Sequence, residues 1–209
     1  MKNLERNNMK AYYAENKGEV CDIVKKLLFD GAVITAGGSM SLKESGVWNI
    51  IESPEYKFFD RTKPGITEEE RLEAFKAAIG CDFFFCSSNA VTENGELVNV
   101  DGTANRISSI CFGPKNVVMV VGANKIVKDI NEGLLRIKRI AAPKNTERLK
   151  IDAPCRKLGH CVSLLKSDCP EMTDGCAGQT RICCDYLVSA MQRQKDRIKV
   201  IICGENLGY

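Results

Sequence analysis

Three short runs limit what this chain can fold into: Ala32-Val-Ile-Thr35, Asp82-Phe-Phe-Phe-Cys86 and Asn116-Val-Val-Met-Val-Val121. They are apolar with almost no polar alternation, which is the pattern of strands buried on both faces. Between them the apolar spacing changes to i, i+3, i+4. Val20, Ile23, Val24, Leu27 and Leu28 precede the first run, Leu72, Phe75 and Ile79 precede the second, and Ile126, Ile130, Leu134 and Ile137 follow the third. Strands alternating with amphipathic helices predict an α/β fold with a mainly parallel sheet covered by helices on both faces. With 209 residues, no internal repeat and no low-complexity stretch, the chain reads as a single domain, 1–209. The one shift in composition is near residue 151. A Cys-rich segment, 151–184, begins there and is followed by a final strand pair, Asp185–Met191 with Arg197–Gly204.

The finer reading places a helix over the first thirty residues, with Tyr12 and Tyr13 extending its stripe and Gly31 ending it. A second helix runs from Leu42 to Ile51, and a strand from Tyr56 to Phe59. Thr67-Glu-Glu-Glu70 has the form of a capping box. The helix it opens turns Leu72, Phe75 and Ile79 inward and ends at Gly80. Further helices are expected from about Thr103 to Cys111 and from Ile126 to about Ala142, where Pro143 interrupts.

A net charge of +3 is too small to argue for nucleic acid or a membrane surface as partner. No apolar run is long enough to span a bilayer. The N-terminus has no signal-peptide core, so the protein is expected to be cytoplasmic. Eleven cysteines in a reducing compartment do not suggest disulfides. Cys21, Cys81, Cys86, Cys111 and Cys203 lie in or beside apolar segments and read as small hydrophobes. The other six, Cys155, Cys161, Cys169, Cys176, Cys183 and Cys184, are clustered.

Open α/β sheets bind ligands at the carboxyl ends of their strands. The stretch Cys86–Arg106 follows such an end with small polar residues, Glu93, Asp101 and three asparagines. Asn94-Gly95 also predicts a tight type I′ hairpin with Glu93 at its tip. Glu93 is therefore either a base or nucleophile, or a solvated turn residue. Asn89, Asp101 and Asn105 are expected to share its cleft, although Asp101-Gly-Thr can equally be a helix cap. Gly37, Gly38 and Ser39 sit where a strand gives way to a helix, a position suited to a small anionic ligand or to a plain capped turn. Lys115 and Lys125 follow turns near strand ends; each reads as a solvated lysine, with an anion ligand as the alternative. His160 is the only histidine, and no nucleophile motif accompanies it. There is no Walker motif, and no nicotinamide or flavin fingerprint.

The block Ser88–Arg106 resembles the stand-alone LUD, or lactate-utilisation, family. So do Gly37-Gly-Ser, Phe112-Gly-Pro-Lys, Val121-Gly-Ala-Asn-Lys, Ala141-Ala-Pro and Gly204-Glu-Asn-Leu-Gly-Tyr209. The resemblance implies a fold of the ribose-5-phosphate isomerase and CoA-transferase superfamily (NagB/RpiA/CoA-transferase-like). It also implies a component of lactate-to-pyruvate oxidation that works with protein partners in a lactate-oxidising complex. In the CoA-transferase relatives a strand-end glutamate is the nucleophile, and Glu93 is similar to it. The family's cysteine pattern falls on Pro154-Cys155, Cys161, Gly175-Cys176 and Arg181-Ile-Cys183. This implies a metal on Cys155, Cys161, Cys176 and Cys183, with an iron–sulfur cluster favoured over zinc because lactate oxidation needs an electron path. Extra residues between Cys161 and Cys176 leave Cys169 and Cys184 as substitutes. Three readings remain: the lactate-utilisation component, an enzyme acting on a phosphorylated sugar or CoA ester through Glu93, and a non-catalytic binding subunit. A homodimer and a hetero-complex are both open.

Overall fold

The computed structural model describes residues 1–209. Its ten strands are β1 (Lys10–Ala14), β2 (Val33–Ala36), β3 (Lys57–Phe59), β4 (Phe83–Cys86), β5 (Ala90–Thr92), β6 (Leu97–Asp101), β7 (Asn116–Gly122), β8 (Ile126–Val127), β9 (Asp185–Ser189) and β10 (Ile198–Cys203). Six of them form one all-parallel sheet in the order β1-β10-β7-β4-β2-β3. The expected strands β2, β4 and β7 occupy its middle. Their side chains divide by alternation, Val118 and Val120 into one core, and Val117, Met119 and Val121 into the other. The first core also takes Val20, Val24, Leu42 and Trp48 from helices 17–27, 40–44 and 47–51. The second takes Leu4, Ile107 and Ile110 from helices 2–6 and 105–111, together with Val91 and Leu97. Those last two belong to a smaller sheet, β8-β5-β6-β9. A third core, with Ala90, Val98, Ile137 and Ala142, lies between that sheet and the helix running from Ile130 to Arg148.

Several local expectations need correction. The first thirty residues are not one helix: Tyr12 and Tyr13 lie in β1, and Asn16 caps a new helix by accepting from the Glu19 N–H. β1 pairs with β10 at the far end of the sequence, a partner that no local signal reveals. The helix expected over 42–51 is broken at Gly46, whose φ of 81° marks the left-handed region. The capping box at Thr67 is present with both of its bonds. The helix it opens, however, buries Ala74 and Ala78 and leaves Leu72, Phe75 and Ile79 outward, Ile79 being 64% exposed. Small residues let that helix lie close to the sheet, so the alanine stripe wins over the larger apolar one.

Pro143 does not end its helix. The turn before it, Ile137–Ala141, widens to a π-helix and the chain then continues as an α-helix to Arg148. A π turn tolerates the missing N–H and the ring's bulk better than a regular α-turn does. The last two strands exist but do not pair with each other. β9 runs antiparallel to β6 in the small sheet, and β10 lies between β1 and β7 in the large one.

Candidate functional site

The order of connections reverses between β2 and β4. From β2 the chain steps outward to β3, and from β4 it steps the other way to β7 and then β10. Such a switch point opens a crevice at the carboxyl ends of the strands. A cleft of about 500 Å³ lies there, lined by residues that directly follow β2 (Gly38, Ser39, Met40), β4 (Ser87, Ser88, Asn89) and β7 (Lys125). Of the residues singled out in the sequence, Gly38, Ser39, Asn89, Asp101 and Asn105 line this cleft. Gly37 lies just behind it. A Cβ there would sit 3.5 Å from the stem of Arg106, and its N–H donates to the Phe85 carbonyl. The Gly38 and Ser39 amides make no hydrogen bond within the protein, while the Ser39 side chain caps Leu42.

Glu93 lies elsewhere. The hairpin forms, with Ala90 opposite Val98, but only Gly95 has positive φ and its N–H closes onto the Thr92 carbonyl. A type I turn followed by a left-handed residue therefore replaces the expected type I′. Its tip is exposed and tied to the N-terminal helix: the Asn3 amide donates to the Glu93 carbonyl at 2.6 Å, and the Asn7 amide donates to that of Asn94. Glu93 takes no part in the cleft.

The wall of the cleft is organised by Arg106. Its guanidinium donates to the Asp101 carboxylate, the Ser87 and Val100 carbonyls, and the side-chain oxygens of Asn89 and Asn99. The second Asp101 oxygen accepts from the Arg106 and Ile107 N–H groups. Asp101 thus caps helix 105–111 and neutralises Arg106 at once. Asn99 Nδ2 is the only buried side-chain polar atom without a partner.

The other charged residues of the lining are all basic: Arg61, Arg71, Lys125 and Arg148. Arg148 is positioned by Asn145 and by the Tyr209 hydroxyl, at the edge of the cleft close to Gly38. Lys125 is the surprise. It is 3% exposed, and its Nζ donates to Ser41 Oγ at 2.8 Å and Ser87 Oγ at 3.1 Å. Burial, aided by Arg136 and Arg106 and opposed by Glu44, pushes its amine from 10.5 down to about 7. The sequence leaves it between a solvated lysine and an anion ligand, because the segments that bury it are distant. Lys115, by contrast, is exposed and paired with Asp82.

A second, small cavity adjoins the cleft and shares Ala142, Ile182 and Cys183 with it. Cys155, Cys161, Cys176 and Cys183 all line it, whereas Cys169 and Cys184 are exposed and outside it. Burial and, after it, the neighbouring thiols push Cys183 up to about 12; Cys155 is raised as well. Arg181 braces the segment by donating to the carbonyls of Thr173, Cys176 and Cys183. As they stand, no three His, Cys, Asp or Glu side chains anywhere in the chain are gathered closely enough to hold a metal ion. The four thiols are nevertheless the donor set that zinc or an iron–sulfur cluster takes. They would need to draw inward to ligate one. His160 contacts the Cys161 carbonyl and does not line the cavity.

Fold and site together define a parallel α/β protein with a basic strand-end cleft and a thiol cavity beside it. The chain matches the LUD domain over residues 1–203 and belongs to that family. Membership supports a role related to lactate utilisation. Among curated proteins, none matches. Two solved structures are similar at low identity. A DUF162 family protein from Deinococcus radiodurans is 14% identical, with 97% of this chain and 93% of that chain covered and a TM-score of 0.47. The eIF2B beta structure from Chaetomium thermophilum is 13% identical, covering 58% of this chain and 42% of that one, at a TM-score of 0.39. The chain therefore spans less than half the length of the latter. No helix of the chain is long and apolar enough to cross a membrane.

Proposed function

We propose that the chain is a component of lactate-to-pyruvate oxidation. It takes a small anionic ligand in the basic cleft and holds a metal, iron–sulfur rather than zinc, on Cys155, Cys161, Cys176 and Cys183. The observation that carries this reading is adjacency: Cys183 belongs to both the thiol cavity and the cleft. A ligand held by Arg148 and the free amides of Gly38 and Ser39 would share the cleft with Cys183. Bound there, a cluster would supply a one-electron path, which the chain's own side chains cannot. The residues of the cleft bind and orient the anion, with Arg106 holding the wall and Lys125 the floor. The partners in this reading are the other proteins of a lactate-oxidising complex. The position of Glu93 at a docked hairpin tip gives the alternative, a sugar-phosphate or CoA-ester enzyme acting through that residue, no observation to rest on.

The test is protein purified without oxygen. Iron or zinc near stoichiometry is expected, lost in Cys183→Ser and retained in Cys169→Ser. Less than about a tenth of an equivalent of either metal would overturn the metal reading, since a tight site fills nearly completely.

A further inference from the structure

Lys125 is a buried amine whose positive charge, when protonated, its neighbours do not fully balance. Facing it are Ser41 and Glu44 from helix 40–44, Cys86 and Ser87 at the end of β4, Arg106 and Arg136. Asp101 is engaged by Arg106, and Glu44 accepts from the Gly208 N–H. Arg136 spends its guanidinium on the Asn89 and Asn124 carbonyls. Three basic groups thus face two carboxylates at the floor of the cleft, Asp101 paired with Arg106 and Glu44 as the remaining counter-charge, so one positive charge is in excess when Lys125 is protonated. A protonated amine has three hydrogens. Two point to serine hydroxyls, and the residue lines the cleft, so the third remains for a ligand. Both serines have other partners, the Leu207 and Ser88 carbonyls, so their hydroxyls are oriented to accept from Lys125.

We propose that Lys125, oriented by Ser41 and Ser87, is the proton-coupled anchor of the cleft, receiving the oxyanion of the ligand and gaining a proton as that anion binds. The inference rests on the anion reading of the cleft and deepens it by naming the group that senses charge. A negative group against a buried amine favours its protonated form. The free protein carries Lys125 largely neutral above about pH 7, so binding there must draw one proton from solution. Below neutrality the proton is already present. No bond to carbon forms, and the only transfer is that of a proton from solvent to Nζ.

Sulfate and oxamate serve as probes, because neither changes charge between about pH 6 and 9 and they present a tetrahedral oxyanion and a carboxylate respectively. Calorimetric titration in buffers of different ionisation heat counts the protons. Uptake approaching one proton per anion is expected at about pH 8.5 and almost none at about pH 6. Affinity should weaken by up to about tenfold per pH unit above neutrality. The probe that shows uptake identifies the ligand as phosphoryl-like or carboxylate. Lys125→Met should weaken binding at about pH 6 by roughly tenfold or more and abolish the uptake. Wild-type binding without proton uptake at the higher pH overturns the inference but leaves the basic cleft standing, as does unchanged affinity in Lys125→Met. Failure of both probes to bind wild-type protein overturns the two readings together.

Discussion

The Arg106–Asp101 pair and Lys125 are charged groups of the cleft that act through burial. Arg106 and Asp101 are 14% and 9% exposed at 2.8 Å, and every further guanidinium N–H is met by a carbonyl or amide oxygen. Removing one member of such a pair leaves an uncompensated buried charge. Arg106→Met is therefore expected to cost about 3–5 kcal/mol in denaturant unfolding, and a loss below roughly 1 kcal/mol would refute the organising role. Lys125 gives the opposite sign. Its folded amine titrates near 7 instead of 10.5. Between those values the unfolded chain holds a proton that the folded chain has released. Stability from this group therefore rises with pH through that window, and the full burial cost is present below it. Lys125→Met should raise the melting temperature most at about pH 6, and the advantage should shrink towards about pH 10. A melting difference that does not vary with pH would show that the amine is not depressed.

Elements were readable where their signals are local. The capping box at Thr67 and the Asn94-Gly95 hairpin lie within a few residues of the structure they specify, and both occur. The facing of helix 68–80 was not readable in the same way. Two apolar stripes, 72–75–79 and 74–78, compete on its surface, and the choice depends on how closely the sheet must be approached. Ile79→Ser is expected to change stability by less than about 0.5 kcal/mol, as for an ordinary surface site. Ala74→Leu should cost about 1–3 kcal/mol through overpacking, since Ala74 is 3% exposed. The reverse order of effects in unfolding experiments would return Leu72, Phe75 and Ile79 to the core. β1 shows the limit of local reading, since its extended form is dictated by β10, nearly the whole chain away. Lys125 shows it too, because its burial is assembled from helix 40–44, the end of β4 and the C-terminal tail.

The segments near residues 10 and 205 complete the sheet and the cleft together. β10, the tenth strand in chain order, sits between β1 and β7 and is therefore an interior one. The residues after it return across the strand ends. Leu207 is fully buried, its N–H donates to Asn124 and its carbonyl accepts from Ser41. Asn124 donates to the Gly208 carbonyl, and Tyr209 holds Arg148. The approach is so close that a Cβ on Gly122 would lie 2.3 Å from the Leu207 nitrogen. One on Gly208 would lie 3.4 Å from Lys125 Nζ. The tail therefore covers the amine and fixes an arginine at the rim. Deleting residues 205–209 leaves all ten strands intact but removes the buried leucine, at a cost of about 2–5 kcal/mol by analogy with large-to-small core changes. It also admits water to Lys125, whose amine should move back towards its ordinary range as burial is relieved. Sulfate binding by the truncated protein should be weaker than wild type at about pH 6 and should take up less proton at about pH 8.5. Gly122→Ala, which forces the tail away without shortening the chain, should shift affinity and proton uptake in the same direction. If both variants bind sulfate with wild-type affinity and proton count, the tail is only a structural strap and the floor of the cleft is set by Ser41 and Ser87 alone.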